Sequence, residues 1–157
     1  MLKDSLKGGE DIKNNVLNKF TSHGVKEDQI IFLERQKDRL EHLKLYNKAD
    51  VALDTFPYPG VTTTYEAILM GLPVITMKGF NFNSRCGESI NINVGMSELI
   101  ANDDEDYVKK ALDLKIEKDL NEKYGINLRN QALASPLFDT EQFTKDIENL
   151  LIKINYK

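Results

Sequence analysis

One stretch, from Asp50 to Met77, constrains the fold of this chain more than any other. It opens with the apolar run Val-Ala-Leu, which is typical of a short strand covered on both faces. Two prolines and Gly60 then stop any regular element, and consecutive threonines lead into a helix that ends near Gly71, where a left-handed C-cap is expected. The run Val-Ile-Thr-Met follows as the next strand. The stretch therefore predicts a strand–helix–strand unit.

The loop before this helix is a candidate anion site. Ligands of open parallel sheets bind beyond the carboxyl ends of the strands, and a helix N-terminus attracts phosphate through its free N–H groups and dipole. Thr62 and Thr63 add hydroxyl donors there. The same residues also fit a well-capped helix that binds nothing, because threonine is a common N-cap. The residues alone leave both interpretations open, since the stretch contains neither a P-loop nor a dinucleotide fingerprint.

The first half of the chain alternates strands with helices. Apolar spacing predicts a helix over 10–23, a short buried strand over 30–33 and a helix over 37–47. Leu40 and Leu43 are predicted to face inward in the latter helix, and Tyr46 is a further candidate. This alternation is the pattern of a parallel sheet with helices on its faces.

The second half of the chain is predicted to be mainly helical. Ser84 is placed to cap a helix over 85–93, and the segment 96–101 fits either a short strand or a helical turn. Further helices are predicted from Asn102 or Asp103, over 116–133, and from Asp139 or Thr140 onward. Helical spacing predicts that these residues are buried: Tyr107, Val108, Ala111, Leu112, Leu114, Phe143, Ile147, Leu150, Leu151 and Ile154.

Composition argues against several classes of function. The chain has 157 residues, 41% of them hydrophobic and 29% charged, as in a soluble globular domain. A net charge of −4 without a basic block argues against partners such as nucleic acid or anionic lipid. No apolar run is long enough for a membrane span, and the N-terminus lacks a signal-peptide core. The single cysteine, Cys86, forms no internal disulfide, no metal cluster is predicted, and a cytoplasmic location is expected.

The residues of the central stretch resemble a known family. Leu53–Tyr58, the glycine and threonines that follow, Glu66 with Ala67, and Met70–Met77 resemble the C-terminal catalytic lobe of the O-GlcNAc transferase/SPINDLY family of glycosyltransferases. The spacing matches without gaps. The remaining segments that are similar to the family lie around His42 and over 84–89, 95–101 and 135–138. The match is good from about residue 30 onward and loose before it.

The resemblance implies a fold and its limits. Family members are GT-B enzymes with two Rossmann-like lobes and an active site between them. The chain is therefore expected to be α/β, a Rossmann-like parallel sheet with flanking helices that closes with C-terminal helices. We expect a single partial nucleotide-sugar-binding domain over 1–157, with its α/β part over 1–101 and its closing helices over 102–157. The lobe's first strand and helix, the other lobe and the tetratricopeptide repeats are expected to be missing, so the chain is either a fragment or complemented by another chain.

The resemblance also implies a donor-binding site on the central helix. Thr62 and Thr63 match the family's phosphate-binding threonines, and Gly60 lies in the loop before them. Glu66 matches an acidic residue that contacts the ribose, although it also fits a partner of the helix dipole. Val61 stands where the family has glycine or histidine, which is expected to lower donor affinity.

Two further donor contacts are implied outside the central helix. His42 matches a histidine near the uridine, although a lone histidine is more often structural. Arg39 stands near a family lysine. Arg85 lies at a helix start, where a cation opposes the dipole, so we expect it to pair with a carboxylate or with the donor.

The implied function is nucleotide-sugar binding in an inverting protein O-glycosyltransferase. The donor, of the UDP-GlcNAc or GDP-fucose type, is the substrate that gives its sugar to serine or threonine, and no cofactor is expected. No catalytic residue is assigned in this chain, which is expected to be inactive alone. The acceptor protein is expected to bind through the missing lobe and repeats, and self-association or a complementing chain is a further expectation. The alternatives are another GT-B enzyme, such as a nucleotide-sugar epimerase, and a non-catalytic remnant or binding module.

Overall fold

The computed structural model describes residues 2–3, 9–34, 36–116 and 123–155. The chain divides into two compact units, Met1–Ala49 and Asp50–Lys157. Each unit contains parallel strands joined through helices, which is the arrangement that the alternation of apolar patterns predicts.

The first unit is built as strand, helix, strand and helix. Its elements are β1 (Leu2–Lys3), α1 (Gly9–Ser22), β2 (Phe32–Leu33) and α2 (Arg39–Lys44), with 3-10 turns at Glu27–Gln29 and Leu45–Lys48. β1 and β2 pair in parallel, with Leu2 beside Phe32, so α1 lies in the crossover connection between them. The prediction that Leu40 faces inward is wrong, since its side chain is 61% exposed, whereas Tyr46 is buried.

The second unit contains the central strand–helix–strand stretch. Its elements are β3 (Ala52–Leu53), α3 (Thr62–Leu69), β4 (Val74–Met77), α4 (Cys86–Asn93), β5 (Ile100–Ala101), α5 (Asp104–Ile116), α6 (Gly125–Leu133) and α7 (Thr140–Asn155). The strands pair in parallel in the order β3-β4-β5, with Ala52 beside Val74 and Thr76 beside Ile100. The predicted strand–helix–strand unit is confirmed, but the prediction that its first strand is covered on both faces is wrong, since Leu53 is 59% exposed.

The core of the second unit surrounds the central strand β4. Val74, Ile75 and Thr76 are almost fully buried, because helices cover both faces of a parallel sheet. α3 packs against α6, and the tightest contact is at Gly71, which follows α3 with a φ of +79°. A Cβ at this position would lie 2.4 Å from the Gly125 carbonyl oxygen, so the predicted C-cap glycine is also a packing requirement.

The helix boundaries and caps agree in part with the prediction. Asp103 and Asp139 accept backbone N–H bonds at the starts of α5 and α7, as expected. The segment 96–101 combines both predicted conformations, a 3-10 turn at Ser97–Leu99 and then β5. Part of the helix predicted over 116–133 lies outside the described residues. No helix in the described ranges has both the length and the apolar character that a membrane span requires.

The predicted burial is wrong on two helices. On α5, Leu114 is buried, but Val108 and Leu112 are more than half exposed. On α7 the predicted inner face is also exposed, between 41% and 65% for these side chains: Phe143, Ile147, Leu150, Leu151 and Ile154. The spacing identifies an apolar face correctly, but no described part of the second unit covers it.

Candidate functional site

The N-terminus of α3 lies at the carboxyl edge of the three-stranded sheet, where the loop 54–61 leaves β3. The N-cap residue is Val61, whose aliphatic side chain cannot accept a hydrogen bond. The prediction that a threonine caps this helix is therefore wrong, because the threonines occupy the first helical turn instead. The helix start keeps the positive end of the dipole that attracts anions.

The three threonines of α3 differ in exposure. Thr62 and Thr63 are exposed, whereas Thr64 is only 3% exposed. The hydroxyls of Thr63 and Thr64 close over Gly60, because a Cβ at Gly60 would lie 2.4 Å and 2.8 Å from their Oγ1 atoms. A side chain at position 60 would have to displace these two hydroxyls. Thr63 is thus in contact with the loop backbone, and Thr62 precedes it in the same turn.

The loop before α3 is tied to the sheet by the carboxylate of Asp54, which is 9% exposed. Its Oδ1 accepts the N–H of Gly60 at 2.7 Å and that of Thr55 at 3.1 Å. Its Oδ2 accepts the Thr76 hydroxyl at 3.0 Å. Burial raises the pKa of the Asp54 carboxyl, and the bonds from Gly60, Thr76 and Thr55 act in the opposite direction.

Two further elements of the second unit close around Asp54. Gly87 of α4 lies against it, since a Cβ there would be 2.7 Å from Asp54 Oδ2 and 2.2 Å from Thr76 Oγ1. From α5, the Tyr107 hydroxyl donates to the Asp54 carbonyl oxygen at 2.6 Å, and its ring meets that of Phe56 edge to face. Burial, and then the Asp54 charge, raise the pKa of Tyr107. The carboxylate is thus enclosed by loop, strand and helices.

The loop after β4 is ordered by Ser84, which does not cap a helix as predicted. Its Oγ accepts the N–H groups of Phe80 and Asn81, both at 3.0 Å, and its own N–H donates to Asn81 Oδ1 at 2.9 Å. The helix that follows starts later, at Cys86, and its N-cap residue Arg85 forms no side-chain cap. The loop projects Phe80 into solvent with 84% of its side chain exposed.

Arg85 pairs with a carboxylate, one of the two partners predicted for it. Its guanidinium Nε and Nη2 donate to the two oxygens of Glu88 at 2.7 Å and 3.0 Å, and Glu88 is only 6% exposed. The bond raises the pKa of Arg85. A bidentate pair with a buried carboxylate fixes the guanidinium at the start of α4.

The predicted donor-binding residues divide between the two units. Gly60, Thr62, Thr63 and Glu66 share the loop and first turns of α3, where Glu66 is 8% exposed. The others lie on α2 of the first unit, where Arg39 is exposed and His42 is half-buried. The centroid of the His42 ring lies 6.1 Å from that of the Tyr46 ring. The residues predicted to bind phosphate, Gly60, Thr62 and Thr63, are therefore brought together by local structure alone.

Sequence reasoning assigned no role to Asp54. The available signal was an acidic residue placed directly after an apolar strand and ahead of a glycine-containing loop, a position where a carboxylate often binds loop N–H groups. Among the residues that the structure describes, no group of three or more histidine, cysteine, aspartate or glutamate side chains could hold a metal ion.

Comparison with known proteins places this chain in a family. The family model for glycosyl transferase family 41 matches residues 6–147. The chain is 32% identical over 139 residues to a probable UDP-N-acetylglucosamine–peptide N-acetylglucosaminyltransferase SPINDLY of Eustoma exaltatum subsp. russellianum, covering 88% of this chain and 15% of the relative. With the protein of the same description from Hordeum vulgare it shares 38% identity over 109 residues, 69% of this chain and 12% of the relative.

A solved structure agrees with these matches. The Thermobaculum terrenum O-GlcNAc transferase mutant K341M superposes with a TM-score of 0.85 and 28% sequence identity, covering 96% of this chain and 29% of that one. The chain belongs to glycosyl transferase family 41. Its predicted α/β fold of the GT-B type, with parallel strands and flanking helices, is confirmed. The chain spans about 12–15% of the length of these SPINDLY relatives.

Proposed function

We propose that this chain supplies the nucleotide-sugar-binding surface of a protein O-glycosyltransferase. The observation that carries the proposal is the start of α3. Exposed Thr62 and Thr63 lie there beside the loop backbone, at the carboxyl edge of a parallel sheet, with an N-cap residue that offers no side-chain acceptor. Such a helix start suits the diphosphate of a nucleotide sugar. Membership of a glycosyltransferase family supports the same chemistry.

The role of this surface would be electrostatic. When the bond from the anomeric carbon to the diphosphate breaks, negative charge accumulates on the departing phosphate oxygens. Fixed N–H and hydroxyl donors at the start of α3 stabilise that charge without having to reorganise. The acceptor, a serine or threonine hydroxyl of a protein, would attack from the opposite face of the sugar, giving inversion. The general base and the acceptor surface would come from the part of the enzyme that this chain does not contain.

The remaining donor contacts are part of the same proposal. Glu66 would accept ribose hydroxyls, His42 would lie near the base, and Arg39 would be a further donor contact, a set supported by the resemblance to the family. The donor would be of the UDP-GlcNAc or GDP-fucose type. The proposed compartment is the cytoplasm, which suits a chain with the single cysteine Cys86.

Replacing both exposed threonines tests the phosphate site. Thr62→Val with Thr63→Val removes two hydroxyl donors and keeps the β-branched shape. A hydrogen bond to a charged group is worth about 1.5–3 kcal/mol, so affinity for UDP or GDP should fall by roughly tenfold or more per threonine. Isothermal titration calorimetry on the full chain measures this directly.

Thr64→Ser is the matched control, because this third threonine of the same turn is buried and serine keeps the hydroxyl that lies against Gly60. It should lower the melting temperature and leave nucleotide affinity unchanged. A folded double variant that binds as tightly as the parent would show that Thr62 and Thr63 do not hold phosphate. A parent chain that binds neither UDP nor GDP at millimolar concentrations would favour a non-catalytic remnant instead.

A further inference from the structure

We propose that Asp54 is the positioning residue of the nucleotide site, holding the Gly60 amide and, through it, the first turn of α3. The inference rests on the proposed function, because it assigns the residue that fixes the geometry of that site. Asp54 would act without touching the nucleotide. Its carboxylate is 9% exposed, and its oxygens already accept from protein donors.

The carboxylate connects three separate parts of the second unit. Oδ1 holds the two ends of the loop, Thr55 N–H at 3.1 Å and Gly60 N–H at 2.7 Å. Oδ2 accepts the hydroxyl of Thr76, at 3.0 Å, from the central strand. Thr76 is 1% exposed, so this anchor lies in the closely packed interior of the sheet. The Asp54 carboxylate therefore anchors the loop to β4.

A movement of Gly60 would directly change the proposed phosphate contacts. Gly60 immediately precedes the N-cap residue Val61, and its Cα lies against the hydroxyls of Thr63 and Thr64. A Cβ at Gly60 would lie 2.4 Å from Thr63 Oγ1 and 2.8 Å from Thr64 Oγ1, so the loop backbone and the first turn of α3 are in close contact at this residue. If the Asp54 bond is lost, the loop and the Thr63 hydroxyl should move together.

The charge of Asp54 argues that its role is geometric. A carboxylate beside an anion site repels the ligand, so electrostatics alone would disfavour this residue there. Its useful property is that an ionised carboxylate accepts on both oxygens and donates on neither, whereas an asparagine presents one acceptor oxygen and one amide donor. The two donors on Oδ1 are backbone N–H groups, which need an acceptor, whereas the Thr76 hydroxyl at Oδ2 can donate to a carboxylate or accept from an amide.

Two neutral variants separate acceptor geometry from charge. Asp54→Asn and Asp54→Leu both remove the charge at similar side-chain size, but only asparagine keeps an acceptor for Gly60. We expect Asp54→Asn to bind UDP within about threefold of the parent, and Asp54→Leu to bind at least about tenfold more weakly than Asp54→Asn. Hydrogen exchange of the Gly60 amide should accelerate in the leucine variant and stay slow in the asparagine variant.

If Asp54→Leu does not fold, a second pair of variants tests the same role. Thr76→Val keeps the charge of Asp54 and removes the hydroxyl that donates to Asp54 Oδ2, so it should weaken UDP binding by about three- to tenfold. Its control is Asn91→Ala, since the buried Asn91 amide donates at 2.8 Å to the Val74 carbonyl on the same strand. The control should lower the melting temperature and leave UDP affinity unchanged.

Three results would overturn the assignment. Equal UDP affinity in both Asp54 variants, or tighter binding in both than in the parent, would leave Asp54 with only a structural or a repulsive role. In the second pair, Thr76→Val with the affinity of the parent would do the same. If the parent binds UDP and the Thr62→Val, Thr63→Val chain does not, the proposed function stands, and any of these three results refutes only the role of Asp54. A parent that binds no UDP or GDP removes the proposed function and this role together.

Discussion

Replacing Gly71 by alanine tests the packing that carries α3. Gly71 ends the helix with a φ of +79°, and a Cβ there would lie 2.4 Å from the Gly125 carbonyl oxygen and 2.8 Å from its carbonyl carbon. Both obstacles are backbone atoms, which cannot rotate away as a side chain can. The contact between α3 and α6 must therefore open for alanine to be accommodated.

The expected cost has two parts. Placing an L-residue in the left-handed region costs about 1–2 kcal/mol, and overpacking against backbone adds roughly 1–3 kcal/mol. Alanine recovers about 0.4–1 kcal/mol because it restricts the unfolded chain. The free energy of unfolding should thus fall by about 1–5 kcal/mol, as measured by urea denaturation followed by circular dichroism.

Gly95→Ala is the matched control in the same unit. Gly95 also has a positive φ, +73°, but a Cβ there would meet only the Nε2 atom of Gln131, at 2.6 Å. That amide is the end of a flexible side chain that donates to the Val94 carbonyl oxygen, and it can move away at the cost of that bond. The control should show the backbone strain and about 1 kcal/mol for the lost hydrogen bond, without a clash against backbone, so its loss should still be smaller than that of Gly71→Ala. Equal losses in the two variants would refute the packing argument.

Three further predictions concern pH, association and activity. Burial raises the pKa of Asp54 in the folded state, so the stabilising contribution of this residue is full at low pH and is lost as pH rises. The melting temperature of the parent, relative to that of Asp54→Asn, should therefore fall between about pH 4 and the raised pKa. A difference in melting temperature between the two proteins that stays constant with pH would contradict this. The exposed apolar face of α7 should make the chain self-associate at roughly tens of micromolar, and sedimentation should show more monomer for Leu150→Glu, whose parent side chain is 53% exposed. The isolated chain should transfer no sugar to any peptide above a no-enzyme control, because it spans at most 15% of these SPINDLY relatives.

The sequence predicts local features of the fold well where several signals coincide. Around α3, an apolar run, a proline-containing loop and Gly71 in C-cap position fix the element order, and the structure places β4 over the predicted residues. The carboxyl-edge position of Thr62 and Thr63 follows from that order alone. Their exposure could be anticipated because the first turn at such an edge meets solvent.

Features that depend on tertiary contacts are not predicted. Periodicity shows that α5 and α7 each have an apolar face but does not show whether another element covers it, which is why the predicted burial of Val108 on α5 and Leu150 on α7 is wrong. Competing hydrogen bonds produce the other errors: Ser84 accepts from Phe80 and Asn81 instead of capping α4. The role of Asp54 was missed because its donors include Thr76, which is 22 positions away and adjacent only after the sheet forms.

Amide chemical shifts of the full chain, followed by two-dimensional NMR during addition of UDP, test the central claim most directly. If the start of α3 holds the diphosphate, the amides of Gly60, Val61, Thr62 and Thr63 should shift most, in a saturable manner. The Thr62→Val, Thr63→Val chain should need at least about tenfold more UDP for the same shift. Saturable shifts that leave these four amides unchanged and cluster elsewhere would contradict the account.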